Sequence, residues 1–274
     1  MGDTQPLKVF VICVALAGLI LNWLPGLDAA AETYLADAIA DNLIIFATAR
    51  SLNAIISVIQ SIELSVSLGA GMAVNFGEVL DPLNDLIERF SGFVLYGLTG
   101  LGLQKLVLVA TSSLIMKVIT TIAIAGGLVN WLWQPERFQW LPRLVLLLLV
   151  VRFAFVVEVG LIAALDKLYF DDQKAEAHSA LQLAQQSLSN LKDEYQDIVA
   201  DQGFVSGTWE AAGSLFGTEE QSGITEITAS AVVELIVITL VRGLLLPVLF
   251  IWLLVYLAGR IFKNQSIPVI PSGA

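Results

Sequence analysis

Cysteine occurs once in the 274 residues, as Cys13, and histidine once, as His178. A single cysteine excludes a disulfide within the chain and a thiolate metal site; among apolar neighbours it packs as a small hydrophobe. With one histidine there is no H-E-x-x-H pair, and no His/Cys/Asp cluster has metal-ligand spacing. Charged residues make up only 14% of the chain, against about 25% in a soluble domain. Much of the surface must therefore face something other than water. Gly97, Gly100 and Gly102 read G-x-x-G-x-G, which is neither a P-loop nor a dinucleotide-binding fingerprint, and no G-x-S-x-G elbow occurs. The acidic pairs Asp171-Asp172 and Glu219-Glu220 are sequence neighbours, so on a helix they point apart and form a solvated face. No catalytic constellation survives, and the chain reads as a protein that is not an enzyme, with no cofactor and no metal.

What the chain has in abundance is apolar length. Hydrophobic residues make up 57%, concentrated in Leu7–Leu24, Leu106–Trp133, Phe138–Leu165 and Ile227–Phe262. A bilayer core takes about 20 mostly apolar residues per helical crossing. The expected fold is an all-α integral membrane protein with four transmembrane helices and an extracytoplasmic amphipathic helical layer. Residues 1–27 hold the first helix, read as an uncleaved anchor although Ala29 and Ala31 also fit a signal-peptide cleavage site. Residues 28–105 form acidic amphipathic helices outside the membrane. Residues 106–165 form a transmembrane hairpin with Trp131, Trp133 and Trp140 in the interfacial belt. Residues 166–226 return to the acidic layer as a helix and a loop, 227–263 cross again, and 264–274 are a cytoplasmic tail.

Charge sets the orientation. Around the segments before Leu7, between Trp133 and Phe138, and after Phe262 lie Lys8, Arg137, Arg143, Arg260 and Lys263 against Asp3 and Glu136. Of the 25 acids, all but Asp3, Glu136, Glu158 and Glu234 fall in residues 25–105 and 166–226, beside only Arg50, Arg89, Lys105, Lys167, Lys174 and Lys192. Short basic loops stay cytoplasmic, so both termini are expected inside, and short loops without disulfides suggest a bacterial inner membrane. An acidic exterior argues against nucleic acid as a partner. The expected partners are the lipid bilayer and either a homo-oligomer or another membrane protein. The crossing count and inward termini are similar to those of large-pore channels such as connexins, whose extracellular cysteines are absent here, so the resemblance carries only topology.

Within 28–80, Leu35, Ile39, Leu43 and Phe46 suggest one apolar stripe, and Ile55, Ile59, Ile62 and Val66 another, with a glycine-punctuated break over 68–77. Asp81-Pro82 reads as an N-cap and first helical residue. The helix it opens is expected to continue into the second crossing, with Gly92, Gly97, Gly100 and Gly102 marking a kink or a close contact. Leu181, Ala184, Leu188, Leu191, Tyr195 and Ile198 follow 3-4 spacing, as in an amphipathic helix packed on the 28–80 helices or an intersubunit coiled coil. Residues 203–223 read as a loop, with Trp209 and Phe216 near the outer lipid surface.

The costly residues are Lys117, Arg152 and Arg242, each near the middle of its apolar window, where a base costs about 2.5–3.5 kcal/mol. Alternating topology puts them at similar depth, with Glu158 and Glu234 roughly 9–12 Å outward. One expectation is that Arg152 and Arg242 pair with Glu234 and Glu158 and hold a structural or assembly protein together. The other is that the bases line a water-filled path in an oligomeric channel or transport protein, where a basic ring favours anions. Thr111-Ser112-Ser113 and Thr120-Thr121 fit interhelical hydrogen bonds or a pore wall equally well.

Overall fold

The structure is a computed structural model that describes residues 5–70, 77–133, 140–202 and 219–264; of these, all but Leu24, Ser113 and Trp140 are helical. The helices are α1 (Gln5–Trp23), α2 (Pro25–Ala70), α3 (Gly77–Ser112), α4 (Leu114–Trp133), α5 (Leu141–Leu165), α6 (Asp171–Gln202), α7 (Glu219–Leu240) and α8 (Leu246–Asn264). A π turn, Asp166–Phe170, joins α5 to α6, and another, Val241–Leu245, joins α7 to α8. The proposed loop at 203–223, the tail and much of the 68–77 break fall largely outside the described residues.

Local chemistry sets the breaks. The α1/α2 corner closes with Leu24 N–H donating to the Leu21 carbonyl at 3.3 Å, and Pro25 takes the first position of α2, where its missing N–H costs nothing. Ser113 separates α3 from α4 and caps α4, its Oγ accepting from the Met116 N–H at 3.3 Å. The expected uninterrupted helix through the second window is therefore split. Pro247 cannot donate to the Gly243 carbonyl, and the chain widens into a π turn just before it. α3 begins at Gly77, ahead of the anticipated start at Asp81, so Pro82 lies inside it; the Asp81 carboxylate instead accepts from Gln60 Nε2 at 2.7 Å.

Five helices are long and apolar enough to cross a membrane: Pro25–Gln60, Asp81–Ser112, Leu114–Trp133, Leu141–Asn190 and Thr228–Tyr256, with a shorter apolar helix at Val11–Trp23. The first two contain segments that the sequence suggested lie outside the bilayer. α2 is one helix of 46 residues, not two. Its buried stripe is Leu35, Ala38, Asn42, Ile45, Ala49, Leu52, Ile56 and Ile59, a 3-4 repeat that leaves Leu43 exposed. Counting apolar residues alone put the stripe out of phase, because Ala38, Asn42 and Ala49 belong to it.

The described residues group into two compact units, one within Met1–Ala38, Leu101–Ala164 and Leu246–Ala274, the other within Ile39–Gly100 and Leu165–Leu245. The second unit has a continuous core. Ile45, Leu52 and Ile56 of α2 meet Ile87, Phe90 and Val94 of α3, Leu181 and Leu188 of α6, and Val232 and Leu235 of α7. Leu181 and Leu188 of the α6 stripe thus pack within the chain, against α2 among others, while the side chains of Leu191, Tyr195 and Ile198 lie outside the described ones. Of the four candidate glycines, Gly92 and Gly102 have open space, whereas Gly97 and Gly100 mark a close approach. A Cβ on Gly97 would strike Thr239, and one on Gly100 would strike the Gly243 carbonyl oxygen. The first unit brings α1, the start of α2, the end of α3, α4, α5 and α8 together, and many of its large apolar side chains are exposed, among them Ile20, Ile115, Ile122, Val157, Val248 and Val255.

Candidate functional site

Two helix breaks meet inside the first unit. The α1/α2 corner contributes Asn22, Trp23 and Asp28; the start of α4, just after the Ser113 cap, contributes Lys117 and Thr121; α5 supplies Arg152. Asp28 sits in the first turn of α2, where the helix dipole favours a carboxylate. Its Oδ2 accepts from Lys117 Nζ at 2.9 Å and from Arg152 Nη2 at 2.7 Å. Asn22 binds the cluster together. Its Oδ1 accepts from Arg152 Nε at 3.0 Å, and its Nδ2 donates to the Lys117 carbonyl at 2.9 Å and to Thr121 Oγ1 at 3.1 Å. The Trp23 indole donates to the same Thr121 oxygen at 3.0 Å. Arg152 is 1% exposed and Asn22 fully buried. Beside it, Ser112 donates to Glu32 Oε1 at 3.3 Å. The site therefore holds two bases on one carboxylate, a net single positive charge, with Asp28 Oδ1 and Arg152 Nη1 lacking hydrogen-bond partners.

A second ionic tie lies in the other unit. Arg242 Nη2 reaches Asp166 Oδ2 at 2.6 Å, both side chains about 5% exposed. Each partner sits in one of the two π turns. Widened turns of this kind recur at positions under functional or packing constraint. Next to it, Thr239 Oγ1 donates to Asn42 Oδ1 at 3.3 Å. In the same unit, Lys174 pairs with Asp41.

These contacts correct the expected pairing. Arg152 pairs with Asp28, not Glu234, and Arg242 pairs with Asp166, not Glu158. Lys117 occupies the first turn of α4 rather than mid-helix; Lys117 and Arg152 share one cluster in the first unit, and Arg242 lies in the second. Glu234 is half-buried and makes no ion pair among the described residues. Glu158 is 1% exposed, and neither of its oxygens has a partner. Of the polar runs, Thr121 serves interhelical hydrogen bonding, while the Thr111 hydroxyl returns to its own helix, donating to the Val107 carbonyl at 2.9 Å.

Asn22, Asp28 and Asp166 were missed. Their signal was present as phase: Arg152 and Asp166 are two heptads apart on one buried stripe with Val159, and Asp28 follows Pro25 where a new helix must start. Among the described residues no three His, Cys, Asp or Glu side chains converge as metal ligands do. Compared with known protein families, curated proteins and solved structures, the chain matches none.

Proposed function

We propose that this is a multi-pass membrane protein of structural or assembly type, whose helical layer outside the bilayer docks a partner protein or another copy of itself. The observation that carries this reading is the engagement of all three costly bases in ion pairs within the chain. Bases held at less than 3 Å by Asp28 and Asp166 act as ties between helices and are poor candidates for the free charges of an anion path.

Helix length supports the arrangement. α1, α4, α5 and α8 have 19, 20, 25 and 19 residues, matching single crossings of about 20. The 46 residues of α2 extend about 69 Å, more than twice a hydrocarbon core of about 30 Å, so part of it must project. The charge asymmetry favours both termini inside, as in a bacterial inner-membrane protein. The second unit leaves Leu95 and Tyr96 of α3 and Leu183 of α6 exposed, apolar surface of the sort that docks another protein.

The test places a photo-crosslinking amino acid at Tyr96 or Leu183 in native membranes, and measures anion flux from liposomes holding the purified protein. A discrete adduct, of the chain with itself or with one recurrent protein, and no flux above empty liposomes is the expected result. Flux that falls when Arg152 or Arg242 is neutralised, with no adduct, would overturn the reading in favour of a channel.

A further inference from the structure

Among the described residues, Glu158 stands apart from the other buried acids. Asp28 holds two bases and Asp166 holds one, whereas Glu158, 1% exposed on α5, has neither carboxyl oxygen bonded. Its nearest charged neighbour on the same helix, Arg152, lies six residues earlier, about 9 Å along the axis and about 120° around it. Arg152 already donates through Nε to Asn22 and through Nη2 to Asp28. On the other helices of the same unit, Glu32 accepts from Ser112 and Lys117 is held by Asp28, while Lys105 makes no ion pair among the described residues. None of these charges reaches Glu158.

Among the described residues an ionised carboxylate in that position would have no cation and no donor, and at 1% exposure no water-facing edge; in an apolar interior such a charge is removed by taking up a proton. We infer that Glu158 is a proton-binding site within the membrane-crossing helices: its carboxyl takes one proton from water to become the neutral acid and returns it to water when it ionises, with no electron transferred and no other bond made or broken. The ligand is thus a proton, and the role is distinct from the helix-tying role of Asp28 and Asp166. It rests on α5 crossing the bilayer, and not on the assembly reading.

The test treats the purified full-length protein in detergent at neutral pH with dicyclohexylcarbodiimide, an apolar reagent that needs the protonated acid, and maps the adduct by peptide mass spectrometry. Glu158 is expected to be modified roughly ten-fold or more above exposed Glu176. Glu158→Gln is expected to remove both the adduct and an infrared carbonyl band of a neutral carboxylic acid. Glu158→Asp keeps the carboxyl, retains the adduct, and covers the case of a Gln variant that does not fold. Modification no greater than at Glu176, with no acid band lost in the Gln variant, would show an ionised group and overturn the inference. Protection by sodium ions at constant pH would overturn it in favour of a metal cation as the ligand.

Discussion

Asp28→Asn should be the most damaging single change in the first unit. Asparagine fills the same space but removes the one charge that compensates two bases, raising the local net charge from one to two. Arg152, 1% exposed, cannot turn away to water, although Asn22 still accepts from its Nε. Lys117 has a 17% exposed side chain and can relax partly. Leaving one buried partner uncompensated costs about 3–5 kcal/mol, and the insertion cost of one unpaired base, about 2.5–3.5 kcal/mol, gives a similar figure. The expected loss is therefore about 3–5 kcal/mol, set mainly by Arg152. Lys117→Met alone should cost much less, because Asp28 keeps its shorter bond to Arg152. Combined with Asp28→Asn it should recover part of the damage, since the net charge returns to one. Reversible unfolding in mixed micelles of mild detergent and dodecyl sulfate, followed by helical circular dichroism, measures each step. An Asp28→Asn variant within about 1 kcal/mol of the parent, or a double variant as damaged as the sum of its parts, would refute the claim that this carboxylate compensates both bases.

In the second unit, Asp166→Asn and Arg242→Gln should each destabilise by about 3–5 kcal/mol, and a double-mutant cycle read by the same unfolding assay should return a coupling of about 0.5–3 kcal/mol. Gly100→Ala should cost about 1–3 kcal/mol by forcing α3 away from the Gly243 carbonyl, while Gly102→Ala, with nothing near it, should be neutral or gain up to about 1 kcal/mol of helix propensity. Truncating fully buried Leu181 to alanine should cost about 2–5 kcal/mol, and truncating Leu183, 63% exposed on the opposite face of the helix, about 0.5 kcal/mol or less; equal effects in thermal melts of the two variants would place α6 outside the core.

Helical class, the apolar segments and the identity of the costly bases are all legible in the residues, because each depends on composition over a long window. The ion-pair partners are not, because pairing by depth assumes that the middle of an apolar window is the middle of the bilayer. Ile227–Phe262 spans 36 residues, leaving about 16 residues, roughly 24 Å, of sliding against a crossing of about 20. Arg242 is central to that window yet pairs at a π turn with Asp166, directly after the apolar run of α5 ends. Lys117 is central to Leu106–Trp133 only if the helix is unbroken, and the Ser113 cap breaks it.

Phase is a firmer guide than depth, since a helix cannot rotate one residue without rotating its neighbours. Leu35, Asn42, Ala49 and Ile56 stand seven apart on α2, and Leu181 and Leu188 do so on α6; all six are buried. The polar Asn42 lies on the same buried stripe as its apolar neighbours and meets Thr239 there. Arg152, Val159 and Asp166 show the same spacing along α5 and its π turn. Charges in register with a core stripe are placed to meet other helices: Arg152 finds the Asp28 carboxylate, and Asp166 supplies a carboxylate to Arg242. Glu158 is buried beside Val159 but is one position out of that register, and among the described residues neither of its oxygens finds a donor.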